Sequence, residues 1–83
     1  MITSRQVRAA RALLGWTQEM LADKALVALT ALKRLESENG LGVRDETVRQ
    51  VRQALEAAGI VLLASDRGEG VMLVRVPSDA SRA

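Results

Sequence analysis

The chain contains neither cysteine nor histidine. Without them there is no disulfide framework, no thiolate or imidazole metal site, and no Ser/His or Cys/His nucleophilic catalysis. A cysteine-free chain suits a reducing compartment, and a cytoplasmic location is expected. Long apolar runs are also missing. The longest, Ala25 to Leu29 and Ile60 to Ala64, fall far short of the roughly 18 residues that a membrane span needs. Arg5, Arg8 and Arg11 interrupt the first residues before any apolar stretch long enough for a signal peptide, so secretion is not expected. The acidic residues are scattered without a paired spacing, and no glycine-rich phosphate loop is present. No enzyme chemistry, no cofactor and no metal are therefore expected.

What is present is a short, evenly balanced chain. Its 83 residues are 48% apolar and 27% charged, which is enough for one folded domain and too apolar for a disordered one. A domain this small buries a modest fraction of its surface, so self-association is expected. The net charge of +2 hides an uneven distribution: residues 1–34 carry six basic and two acidic groups, residues 35–83 six basic and eight acidic. A basic front half favours an anionic partner such as nucleic acid.

Four helices and a hairpin can be read along the chain. The string TSRQ has the form of a capping box, with Thr3 as the cap and Gln6 reaching back, and it opens a helix over about 3–14. Val7, Ala10, Leu13 and Leu14 give that helix its apolar face, Arg5, Arg8 and Arg11 form a solvated row on another, and Gly15 ends it. Thr17 caps a second helix over about 17–25, with Met20, Leu21 and Ala25 inward. A third, over about 28–37, turns Ala31, Leu32 and Leu35 inward and Thr30, Lys33 and Arg34 outward. Asp45 caps a fourth over about 45–58, where Val48, Val51, Leu55 and Ala58 oppose Arg49, Arg52 and Glu56. Beyond Gly59, Ile60 to Ala64 and Val71 to Val76 read as two strands around the turn cluster SDRGEG, a β-hairpin over 60–76. Pro77 closes the domain, and 78–83 read as a disordered tail.

Two short helices joined by a three-residue turn, the second with polar side chains outward, are how helix-turn-helix proteins reach the major groove. Residues 8–36, RAARALLGWTQEMLADKALVALTALKRLE, resemble the Cro-type or xenobiotic-response-element (XRE) family of bacterial and phage repressors. Gly15, Trp16, Thr17, Gln18, Leu21, Ala22, Ala25, Val27, Leu32, Leu35 and Glu36 match its pattern in register. The segment Leu55 to Leu73 looks like the end of a compact subgroup that adds a C-terminal hairpin. The chain departs from the family at Leu26, where the turn usually has Gly, at Ala28, where Ser usually caps the recognition helix, and at the apolar Leu29. A side chain on a left-handed residue at position 26 costs roughly 1–2 kcal/mol, and the missing cap costs about 1 kcal/mol.

The resemblance implies a mainly α, four-helix Cro-type helix-turn-helix domain over 1–77 with a C-terminal β-hairpin. It implies a sequence-specific transcriptional regulator that binds double-stranded DNA, with Gln18 on a phosphate and Glu36 as a buried structural tie between helices. Thr30, Lys33 and Arg34 are expected to read base edges or phosphates, with Ala28 and Leu29 beside them; Arg or Lys on guanine is the commonest specific base contact, and Leu29 suits a thymine methyl group. Arg44 and Arg49 are expected near the phosphate backbone, and Trp16 is expected in the core at a helix corner. The hairpin strands are too apolar for one solvated face, so a homodimer through Ile60, Leu62, Val71 and Leu73 is expected on a pseudo-palindromic operator. The rival reading is a protein-interaction module, such as an antitoxin or anti-activator, that keeps the scaffold and uses an altered recognition helix on a protein partner.

Overall fold

A computed structural model of the chain describes residues 2–37 and 43–74. It contains helices α1 (Ser4–Leu14), α2 (Gln18–Ala25), α3 (Leu29–Glu36) and α4 (Asp45–Ala57), followed by strands β1 (Ile60–Ser65) and β2 (Gly68–Leu73). The mainly helical class with a terminal hairpin is as expected. The tail over 78–83, Pro77 and the last hairpin residues lie outside the described residues.

The capping box at the start of α1 forms in full. The Thr3 hydroxyl accepts from the Gln6 backbone N–H at 3.1 Å, and the Gln6 side-chain oxygen accepts from the Thr3 N–H at 3.0 Å. Thr17 caps α2 by accepting from the Met20 N–H at 3.1 Å. Asp45 does not cap α4. Arg44 holds that position without a side-chain hydrogen bond, and Asp45 and Glu46 lie in the first turn, where negative charge complements the helix dipole.

Val7, Ala10, Leu21, Leu32, Val51, Leu55 and Ile60 make a core to which all four helices and β1 contribute. Ile2, ahead of the first helix, joins it. Two residues expected on inner faces are instead exposed, Leu13 and Met20. Each lies beside a residue that takes the inward position, Leu14 or Leu21, and α1 and α2 are too narrow to bury both. Trp16 is half-buried against the core as expected, with the Lys24 ammonium 5.0 Å from its ring centroid.

The hairpin is tighter than the turn cluster suggested. Only Asp66 and Arg67 form the turn, Ser65 Oγ accepts from the Arg67 N–H at 3.1 Å, and Gly68, Glu69 and Gly70 pair with Ser65, Ala64 and Leu63. Contacts with α1 draw these polar residues into the sheet. Gln6 Nε2 donates to the carbonyls of Leu63 and Gly70 at 2.9 Å each, and Glu69 accepts from Thr3 Oγ1 at 2.9 Å and from Arg5 Nε at 2.8 Å. Those two bonds hold the Glu69 carboxyl below its ordinary pKa, the one from Arg5 contributing most. At the other end Gly59 has φ +102°, and a Cβ there would meet the Val74 carbonyl oxygen at 3.2 Å. The chain turns from α4 into β1 at this point because the residue is glycine.

Candidate nucleic-acid interface

Helix α3 is held on its inner side by Leu32 and Leu35 and at its C-terminal end by Glu36, whose side chain is 4% exposed. Glu36 accepts two hydrogen bonds from Arg11 of α1, Nε to Oε2 at 2.7 Å and Nη2 to Oε1 at 2.8 Å. It accepts a third from Gln18 Nε2 at 3.1 Å, while its backbone carbonyl accepts from Arg8. Arg11 also donates to the Trp16 carbonyl at 3.0 Å. The hydrogen bonds to Glu36 raise the Arg11 pKa above its ordinary value against the opposing effect of burial, with added attraction from the charges of Glu36 and Glu19. One carboxylate thus ties α1, the start of α2 and the end of α3 together, and every buried side-chain polar atom among the described residues has a partner.

This arrangement bears out the structural reading of Glu36 and corrects that of the arginine row. Arg11 is not a solvated residue but the counter-ion of a buried carboxylate, with a side chain 21% exposed, and Arg8 also reaches Glu36. A carboxylate read as buried requires a cation, but no local pattern in the sequence picks out which arginine supplies it. Gln6 was legible as a cap but not as the clamp on the hairpin.

On its outer side α3 exposes Thr30, Lys33 and Arg34, as the periodicity indicated. Ala28 is exposed at the cap position with no side-chain hydrogen bond, and Leu29 is half-buried against the core. Gln18 stands at the first position of α2, half-buried, its amide nitrogen engaged by Glu36. Arg34 and Arg44 line one open groove between α3 and the start of α4, together with Val27, Ala31, Val43 and Glu46. Arg49 is not brought to that groove and lines a separate hollow with Ile2 and Val48.

The turn between α2 and α3 keeps the left-handed residue that usually calls for glycine. Leu26 has φ 58° and ψ 44°, the only positive φ outside glycine among the described residues, and the residue is 81% exposed. The N–H groups of Leu26 and Val27 still close the end of α2 by donating to Asp23 and Ala22 carbonyls at 3.3 and 3.0 Å.

Of the four hairpin residues expected at a dimer interface, Ile60 is 3% exposed within the core of its own chain, and Leu62 and Val71 are half-buried against that core. Leu73 pairs with Ile60 and is 37% exposed. All four therefore belong to the hairpin side turned towards the helices.

A protein-family model described as Helix-turn-helix matches residues 7–58 of the chain, from within α1 to just past the end of α4. No curated protein matches it. Among the described residues no helix is long and apolar enough to cross a membrane.

Proposed function

Because the chain belongs to the Cro/XRE-type helix-turn-helix family, whose domains bind DNA, we propose that it is a sequence-specific regulator of transcription. It binds a pseudo-palindromic operator in double-stranded DNA as a homodimer and acts in the cytoplasm as a repressor. The observation that carries this reading is the outer side of α3, where Thr30, Lys33 and Arg34 stand exposed on a helix anchored from behind by Leu32, Leu35 and the Arg11–Glu36 pair. Such a helix enters the major groove with its side chains already directed, and Lys33 and Arg34 donate to guanine O6 and N7.

Gln18, Arg44 and Arg49 fix the register by contacting phosphates, which position the protein without reading sequence. Arg44 shares a groove with Arg34, so backbone and base contacts meet along one line. Ala28 lets the DNA approach the start of α3 closely, and the exposed part of Leu29 meets a thymine methyl group. Two copies engage half-sites about 34–36 Å apart, and the bound dimer blocks polymerase.

A protein-interaction module is the second reading, favoured by the exposed Leu26 beside Ala28, which together place apolar surface where a DNA reader usually has polar groups. Selection of bound duplexes from a random DNA pool separates the two. A palindromic consensus supports the regulator, and absence of any enriched sequence supports the protein partner.

A further inference from the structure

Leu26 carries a backbone cost that nothing within the chain repays. Its φ of 58° and ψ of 44° put it in the left-handed region, where a Cβ crowds the following carbonyl oxygen and glycine alone avoids the penalty. The hydrogen bonds that end α2 come from the backbone N–H groups of Leu26 and Val27, and a glycine at position 26 would supply the same bond. Burial does not repay the cost either. Leu26 is 81% exposed, more than any other large apolar residue among those described. Strain kept at a position with no internal use for the side chain points to a contact outside the chain.

We propose that Leu26 packs against a deoxyribose of bound DNA. The proposal rests on the DNA reading above and adds a residue that this reading does not use. Leu26 lines the groove that also holds Arg34 and Arg44, with the neutral polar Thr47 and Gln50 beside them and Glu46 as the one acid. In the DNA reading Arg44 takes a phosphate and Arg34 a base edge, and the sugar is the covalent link between a phosphate and its base. The carbon face of the nucleotide backbone is thereby brought to a groove with a leucine in its lining. Leu26 sits in the turn ahead of α3, not on the outer side that carries Thr30, Lys33 and Arg34, so its counterpart is a sugar and not a base edge. Charge favours DNA over a protein segment that would match the apolar lining alone. An aliphatic peptide laid in this groove brings no acceptor for the two guanidinium groups it would desolvate, whereas each nucleotide supplies an anion and an apolar carbon face together.

Leu26→Gly and Leu26→Asn suit a left-handed backbone and remove the apolar side chain, while Leu26→Met keeps an aliphatic reach. Thermal melts check the fold of each full-length variant. Titrations at several salt concentrations use a duplex selected by the wild-type chain from a random pool, together with its single-base variants. The expected result has opposite signs in the two assays: Leu26→Gly melts no lower than wild type yet binds every duplex roughly fivefold to thirtyfold more weakly, from the apolar area a leucine withdraws from water. Leu26→Asn shows a similar loss, and Leu26→Met retains most of the affinity. The slope of log affinity against log salt stays unchanged, since no phosphate contact is removed. Unchanged affinity in the folded Gly and Asn variants overturns the proposal and leaves Leu26 to a protein partner. A loss confined to one base pair, and abolished when its thymine is replaced by uracil, overturns the sugar contact in favour of a base methyl group. A shallower salt slope in Leu26→Gly also overturns it, because the side chain would then be holding a phosphate contact in place. A wild-type chain that selects no duplex overturns the DNA reading itself, and this contact with it.

Discussion

Replacing Arg11 by methionine removes the guanidinium from Glu36 while keeping most of the aliphatic stem. The Glu36 carboxylate, 4% exposed, would then retain only the Gln18 amide at 3.1 Å in place of three donors. Breaking one side of a buried ion pair typically costs about 3–5 kcal/mol, because the remaining charge stays desolvated. Against the roughly 5–15 kcal/mol that stabilises a small domain, that loss leaves a marginal fold and lowers the melting temperature by on the order of 20 °C. The Trp16 carbonyl also loses its 3.0 Å donor, so the change is centred on the only aromatic residue. Urea unfolding followed by Trp16 fluorescence reads the stability directly, and an unchanged denaturant slope confirms that the same surface is exposed. The double variant Arg11→Met/Glu36→Leu removes both charges and is expected to recover most of the loss, since a well-packed apolar pair costs no desolvation. A cost below about 1 kcal/mol for Arg11→Met would mean that the pair behaves as an exposed one. A double variant no more stable than the single one would show that the cost did not come from an orphaned charge. Either result refutes the reasoning.

Leu26→Gly relieves a left-handed backbone at a residue 81% exposed. It is expected to stabilise the domain by about 0.5–1 kcal/mol relative to Leu26→Ala, whereas Gln53→Gly at an exposed site of α4 should be less stable than Gln53→Ala by about 1 kcal/mol. The same sign at both positions in thermal melts would contradict this. Arg34→Ala is expected to relax preference at one base pair by about 1–3 kcal/mol, while Gln18→Ala weakens binding to every sequence alike. Titration against single-base variants of a selected duplex distinguishes them, and a uniform loss for Arg34→Ala would move that residue to the backbone. For Glu69, whose folded pKa is held below the ordinary 4.5 by Arg5 and Thr3, the contribution to stability is present above that value. It is lost as pH falls through the depressed folded pKa. Glu69→Gln should therefore flatten the acid limb of the stability curve below about pH 4.5; an unchanged acid limb would show that the contact does not stabilise the hairpin.

The sequence by itself determined the elements, because their signals are local. A cap and its partner lie three residues apart, a helical face repeats every three or four, and Gly15 and Gly59 mark where the backbone must turn left-handed. The same periodicity placed Thr30, Lys33 and Arg34 on the outer side of α3. Only the tertiary structure decided which polar residues are working parts of the scaffold. Gln6 reaches β1 and β2 at a separation of 57 and 64 residues, and Arg11 reaches Glu36 at 25, so no local pattern marks either contact. It also decided which side of the hairpin is open. Large aliphatic residues fall on both sides of each strand, Ile60 and Leu62 against Val61 and Leu63 and Val71 and Leu73 against Met72, so alternation could not choose a face. The choice fell to whichever side α1 and α4 cover, and that depends on how Gln6, Thr3 and Arg5 grip β2. At Leu26 the local signal was overridden: the hydrogen bonds that close α2, and the packing of Val27 beyond it, hold a leucine where its own backbone preference would favour glycine.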